Sequence, residues 1–304
     1  MPPADPLRLF DRQAVRLHRA RAARGPEAAD FLVRESAERL ADRLTDMARS
    51  FPRALDLGCR DGVLARALAG RGGIETLVHA DATHAFARLA PAPVLVAEAE
   101  ALPFAHVSFD LVVSNLDLHW TNDLPGALLQ LRHALKPDGL LLASLFAGGT
   151  LAELRQAWLE AELAEEGGAS PRVAPFADGR DLGHLLQRAG FALPVVDSDT
   201  VRVTYPDALA LMRDLRAMGE SNAVRERRRR FTRRATLMRT ALSYAELFAD
   251  GSGRIPASFE LVTLTAWAPH ESQPKPLRRG SAQARLAEAL APPRDGADQT
   301  ADPD

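Results

Sequence analysis

Short apolar runs alternate with stretches of helical periodicity from Pro52 onward. Ala54 to Leu57, Glu75 to Ala80 ending at Asp81, Val94 to Val96, Phe109 to Asn115 and Leu140 to Phe146 read as strands. Between them, Val63 to Leu68, a stretch around Phe86 to Leu89, and Leu124 to Leu135 carry helical spacing, the last stopped by Lys136-Pro137-Asp138-Gly139. The run from Leu140 is apolar without alternation, as expected where helices cover both faces of a sheet. Strands and helices alternating at this spacing imply right-handed crossovers and a mostly parallel sheet, so the fold class is α/β.

The flanks have a different texture. Residues 8 to 24 predict a short basic helix, and Glu27 to Met47 a longer one with Phe31, Leu32, Ala37, Leu40, Leu44 and Met47 along one stripe. Past Gly149, Thr150 to Glu166 predicts a helix, with Thr150 and Glu153 at capping-box spacing. Asp181 to Ala189 predicts another that stops at Gly190, and Val195-Val196 with Val201 to Val203 a kinked sixth strand. Residues 207 to 250 read as helical and Arg-rich, and Phe259 to Trp267 as a last, alternating strand. The expected division is an N-terminal helical arm (1–49), an α/β core (50–204), a helical cap insert (205–252), the last core strand (253–270) and a tail (271–304). Beyond about Gly280 the tail is Ala/Pro/Asp-rich, a composition of disordered segments.

Composition narrows the function classes. A formal net charge of -2 gives no global electrostatic case for nucleic acid or a membrane surface. A single cysteine, Cys59, excludes an intramolecular disulfide and a cysteine zinc cage and suits a reducing compartment. No apolar run approaches the roughly 20 residues of a membrane span, and a secretory core is missing. The basic stretch Arg8 to Arg24 reads as a structural arm rather than a transit peptide, because Leu9-Phe10 and Val15 to Leu17 sit at helical spacing. The expected location is therefore cytoplasmic. Of the eight histidines only His79, in His79-Ala80-Asp81, stands in a His-x-Asp pair, at the end of a predicted strand, and no metal site is expected.

Candidate chemistry collects at strand ends, where open α/β sheets bind ligands. Asp56 and the turn Gly58 to Gly62 close the first strand, and Asp81 closes the second at the distance along the chain where an acid meets a ribose diol. Glu98-Ala99 closes the third, where a carboxylate and a backbone amide suit an adenine edge, and Asn115 closes the fourth. Each alone is an ordinary solvated cap; their occurrence at consecutive strand ends points to a nucleotide-type ligand.

These stretches resemble the class I S-adenosylmethionine-dependent methyltransferases. The resemblance rests on Leu55-Asp56-Leu57-Gly58-Cys59 with Gly62, Glu98 to Phe104, Phe109-Asp110-Leu111-Val112 and Leu135 to Gly139. It implies a Rossmann-like sheet with one antiparallel edge strand, N-terminal helices and a helical cap, and S-adenosylmethionine as cofactor. By the same resemblance Gly58 and Gly62 flank the methionine moiety, Asp81 holds the ribose, Glu98 and Ala99 the adenine side, and Asn115 lies near the sulfonium. A narrower likeness is carried by Phe10-Asp11-Arg12, Ser114 to Leu116 with Leu118-His119-Trp120, Gly149-Thr150-Leu151, Met218 to Asn222, His270 to Gln273 and Arg279 to Ala282. Over nearly the whole chain these are similar to the mitochondrial complex I assembly factors regarded as arginine hydroxylases. The middle of the chain is also similar to malonyl-carrier-protein O-methyltransferases of biotin synthesis. Both imply a protein or acyl-carrier-protein substrate, in the first case a complex I subunit, with no nucleic acid and no stable membrane insertion.

Arg60 stands where that family's turn has glycine, so its side chain either points away from the cofactor or salt-bridges the cofactor's carboxylate. On that residue hangs the choice between an enzyme and a non-catalytic assembly chaperone with a degenerate site. Cys59 reads as a packed turn residue rather than a nucleophile. Asn115, His119 and Trp120 are the catalytic candidates, His119-Trp120 because it follows the fourth strand where substrate enters; packing of the next helix is the alternative. Glu220, Ser221 and Asn222 are substrate-side candidates, with helix termination the competing reading. The run Arg225 to Arg234, seven arginines and one acid, reads as a solvated helix face, with docking of an acidic protein surface second. RNA is disfavoured because no aromatic platform accompanies the arginines. Methyl transfer asks the protein mainly for proximity and orientation, and a carboxylate acceptor needs no general base. Hydroxylation needs an oxidant, for which the sequence shows no ligand set.

Overall fold

Alternating burial along the strands sets the architecture. In the computed structural model, which describes residues 8–25 and 27–274, seven strands form one sheet in the order β3-β2-β1-β4-β5-β7-β6. The parallel strands are β1 (Arg53–Leu57), β2 (Thr76–Asp81), β3 (Val94–Val96), β4 (Phe109–Asn115) and β5 (Leu135–Phe146), while β7 (Ile255–Trp267) runs antiparallel between β5 and β6 (Ala192–Tyr205). Leu111, Val113, Leu140 and Leu142 face one hydrophobic layer, and Leu55, Leu57, Val112, Leu141 and Leu145 the other, as the two-residue period of a strand requires.

Against the first face pack α2 (Phe31–Thr45), α3 (Val63–Ala67), α6 (Ala152–Glu166), α8 (Ala208–Met218) and Tyr244 of α9 (Arg234–Phe248). Against the second lie α5 (Leu124–Ala134) and α7 (Gly179–Arg188). A basic helix, α1 (Arg12–Ala22), is capped by Asp11, which accepts from the Ala14 amide at 3.1 Å, and packs on α4 (His84–Ala87) and α8. The residues up to His270 form one compact unit. The expected tail beyond Gly280 and the stretch Arg279 to Ala282 lie outside the described residues.

Three local expectations are corrected. The capping box at Thr150 does not form: Leu151 takes a left-handed conformation (φ 55°), Thr150 Oγ1 pairs with the backbone of Glu260, and Glu153 accepts from Ser258 on the neighbouring strand. Strand β5 begins at Leu135, which pairs with Phe109, while Leu111 pairs with Leu140, so residues 136–139 bulge out of a strand rather than stop a helix. The Arg225 to Arg234 run is not a helix face. Gly219 (φ 85°) ends α8, and Arg225 donates its backbone N–H to Leu9, leaving 219–233 irregular until α9 starts. Its arginines find carboxylates instead, Arg227 and Arg229 on Asp11 and Arg228 on Glu166.

Candidate functional site: a plugged cleft beside an open cavity

Two glycines follow β1, and buried acids stand in β1 and at the end of β2. Gly58 (φ 74°) and Gly62 (φ 81°) turn the chain through the left-handed region; a Cβ on Gly58 would sit 2.4 Å from Asp117, and one on Gly62 2.8 Å from Pro91. Asp56 is fully buried and paired with His79 at 3.1 Å; burial pushes its carboxyl up against the pull of that imidazole. Asp81, also without exposed surface, accepts from the amide and hydroxyl of Thr83 at 2.7 Å and from the Arg60 amide at 3.2 Å. Burial raises its pKa, and Arg19 opposes the shift. The Cys59 thiol is buried and pushed up by desolvation, which fits the packed-turn reading.

What the sequence did not foretell is that α1 supplies the partners of these acids. Arg12 and Arg16 both hold the Glu98 carboxylate, and Arg12 also donates to the Trp120 carbonyl at 2.9 Å. Arg19, 1 % exposed, pairs with Asp117, lies 4.0 Å from Asp81 and donates to the Leu116 carbonyl at 3.1 Å. Desolvation would lower its pKa, but Asp117, Asp81 and Glu220 raise it on balance, so Arg19 is charged at every accessible pH. Asp117, not singled out from the sequence, is the acid that faces the glycine turn; its only sequence signal is its place just past the end of β4. Asn115 does not join the cleft. Its amide donates to the Val33 carbonyl on α2 at 2.8 Å and its oxygen accepts from Ser144, tying strand end to helix.

Arg60 points away from the turn. Its guanidinium donates to the Met218 carbonyl at 3.0 Å and to Glu220 at 2.8 Å, with Phe86 beneath it. Glu220 is the hub: its second oxygen accepts from Trp120 Nε1 at 2.7 Å and pairs with His119 Nε2 at 3.1 Å. Burial alone would raise that carboxyl, but His119, Arg60 and Arg19 outweigh it and hold it at about 2. His119 packs among Trp120, Phe146 and Phe176 at ring distances of 4.9–5.5 Å. Beyond Glu220 opens a cavity of about 510 Å³ walled by Trp120, Phe146, Trp158, Phe176 and Phe259 and rimmed by Ser221, Asn222, Arg172, Arg216, Arg227 and Arg228. Ser221 accepts from Arg21 through its hydroxyl and sits against His18 through its carbonyl, while the Asn222 amide donates to the Pro171 carbonyl. Of the sequence candidates, His119, Trp120 and Glu220 thus converge, and Ser221 and Asn222 border the same space.

The acids, glycines and Ala99 backbone are right in kind for a nucleoside cofactor. In this closed arrangement they do not fit one, because a ribose cannot reach Asp81, an adenine edge meets Glu98 already held by two arginines, and Asp117 lies against the turn.

The comparisons agree with the fold. Residues 55–143 match the methyltransferase domain family. Human mitochondrial arginine-hydroxylase NDUFAF5 is 43% identical over 289 residues, covering 93% of this chain and 83% of its own length. Malonyl-[acyl-carrier protein] O-methyltransferase of Xylella fastidiosa is 36% identical, covering 86% of this chain and 89% of its own length. Among solved structures, YcgJ of Bacillus subtilis superposes with a TM-score of 0.54 at 14% identity, covering 78% of this chain and 99% of that one, a likeness of fold. The cofactor that belongs to this domain is S-adenosylmethionine. With over two fifths of its residues shared along most of both chains, the protein belongs to the methyltransferase-domain family that includes arginine-hydroxylase NDUFAF5.

Proposed function

We propose that this chain is an S-adenosylmethionine-dependent enzyme that modifies a side chain of a protein partner received in the cavity beside Glu220. The observation that carries the reading is the position of Glu220, which touches the cofactor turn through Arg60 and the cavity wall through Trp120. The aromatic walls suit a flat cation such as a guanidinium, and Glu220, already paired with Arg60, adds no unpaired positive charge at their inner end. Three of the four rim arginines do not oppose this, since Arg172, Arg227 and Arg228 are neutralised by Glu162, Asp11 and Glu166. The relatives named arginine-hydroxylase support an arginine-bearing protein, a complex I subunit by resemblance, as the partner.

A second reading, a carrier protein bearing a carboxylate, is favoured by the exposed Arg216 at the same rim and by the carrier-protein methyltransferases at 36% identity. Among the described residues no helix is long and apolar enough to cross a membrane. We assign the chain to the cytoplasm, although the NDUFAF5 relatives are named mitochondrial.

Calorimetric titration with S-adenosylmethionine tests the reading: heat is expected for the wild type and none for Asp81→Ala. No heat with either protein would leave the non-catalytic chaperone, the reading the plugged cleft favours. Intact mass of the modified partner then separates the reactions, an added methylene marking methylation and an added oxygen hydroxylation.

A further inference from the structure

The cleft and the cavity are latched by the same helix. The segment leading into α1 pairs with the cavity's rim: Asp11 donates its backbone N–H to the Ala223 carbonyl at 2.8 Å, and Arg225 donates to the Leu9 carbonyl at 2.9 Å. Phe10, 5 % exposed, stacks edge-on against Trp120 with ring centres 5.2 Å apart. Farther along, His18 and Arg21 hold Ser221, and Ala22 lies against Gly219. Meanwhile Arg12, Arg16 and Arg19 occupy Glu98 and Asp117, with Arg19 near Asp81.

We propose that α1 is a self-occluding strap whose arginines stand in for the cofactor, so that cofactor binding expels α1 and thereby frees the 219–230 rim of the acceptor cavity. This rests on the cofactor assignment made above. S-adenosylmethionine carries a sulfonium and an ammonium against one carboxylate, so one net positive charge takes the place of three arginines, and the partly exposed Glu98 is left to solvent. Without either, the buried carboxylates would face one another unpaired, which a dry cleft does not tolerate. The strap is also built to leave. Arg16 is half-exposed, and the side chains of Arg12 and Glu98 are 19% and 25% exposed, so the outer pairs are weak while the register is fixed by the Phe10 bridge. Because one element plugs the cleft and pins the rim of the cavity, the two are linked: whatever binds the cleft in place of α1 also releases the rim that an acceptor meets. An acceptor thus meets a released rim only on a chain already charged with cofactor.

The test is amide hydrogen exchange of the full chain with and without S-adenosylmethionine, beside calorimetric affinity for the wild type and for the double variant Arg12→Gln/Arg16→Gln. With cofactor, exchange should quicken both in Arg12–Ala22 and at the rim amides of Val224 and Arg225. The double variant, which leaves Arg19 and the core untouched, should bind cofactor up to about tenfold more tightly, the worth of two partly exposed ion pairs removed from the closed state. Cofactor that binds while α1 keeps or gains protection would overturn the strap and leave the cofactor assignment standing. No binding to either protein would remove both.

Discussion

The cleft and the cavity are each furnished with four arginines and differ in what those arginines face. In the cleft Arg12, Arg16, Arg19 and Arg60 converge on Glu98, Asp117 and Glu220, and Arg19 and Arg60 are 1 % and 2 % exposed. Around the cavity Arg172, Arg216, Arg227 and Arg228 border an open volume with aromatic walls. Burial makes Arg19 and Arg60 obligatory, since each charge taken from water must keep its partner, whereas Arg12, Arg16 and the cavity's arginines keep access to solvent. The lesson is that counting arginines along the chain says little until the depth of each is known.

The largest effect separating the two regions is expected at Arg19. Arg19→Met keeps the length of the side chain and removes the cation, leaving Asp117 and Asp81 uncompensated. We expect a loss of about 3–5 kcal/mol in denaturant unfolding. A loss near zero would mean that the cleft, like the cavity rim, carries solvated charge.

Next comes the pH dependence written into Glu220. Its folded carboxyl, at about 2, lies below its ordinary 4.5, so ionisation favours the folded state. The associated stability is fully present above about pH 5 and is lost as pH falls toward 2, on the order of 3 kcal/mol in all. Asp56 and Asp81 act in the opposite sense, because their raised folded values make protonation stabilising. The diagnostic is therefore the difference between wild type and Glu220→Gln. The melting temperature of the wild type should fall more steeply than that of the variant between pH 5 and pH 3, and parallel curves would refute the hub. Smaller again is Gly62→Ala, where a positive φ and the Pro91 contact at 2.8 Å predict a loss of about 1–3 kcal/mol in the same denaturant experiment.

Much of this geometry was legible before any coordinates. The glycine turn, the acids at successive strand ends and the alternating last strand follow from local pattern, because strand period and turn chemistry act over a few residues, whereas the antiparallel direction rests on the family resemblance. Glu220 and His119 are candidates from the sequence too, although nothing in it says that they meet across about a hundred positions. The arginines of α1 read as a structural arm and those after Glu220 as a helix face. Nothing in either stretch names its partner, because ion pairs such as Arg19 with Asp117 or Arg227 with Asp11 are fixed by tertiary placement alone. Asn115 failed for a related reason: a polar residue at a strand end is equally ready to cap a ligand or to tie down a helix, and here Val33 claims it.

The smallest expected effect completes the comparison. Arg216 is exposed at the rim of the cavity, so Arg216→Met repeats the chemical change made at Arg19 in the other region. Replacing a solvated cation should alter stability by less than about 0.5 kcal/mol, and the affinity for S-adenosylmethionine should be unchanged because the residue lies outside the cleft. The matched pair separates depth from charge, since both variants lose one positive charge to the same side chain. A carboxylate-bearing carrier protein would lose affinity with Arg216→Met, whereas an arginine-bearing partner would keep or gain it as a like charge leaves the rim. Titrating each partner against the wild type and the variant therefore reads the sign of the acceptor's charge without requiring turnover.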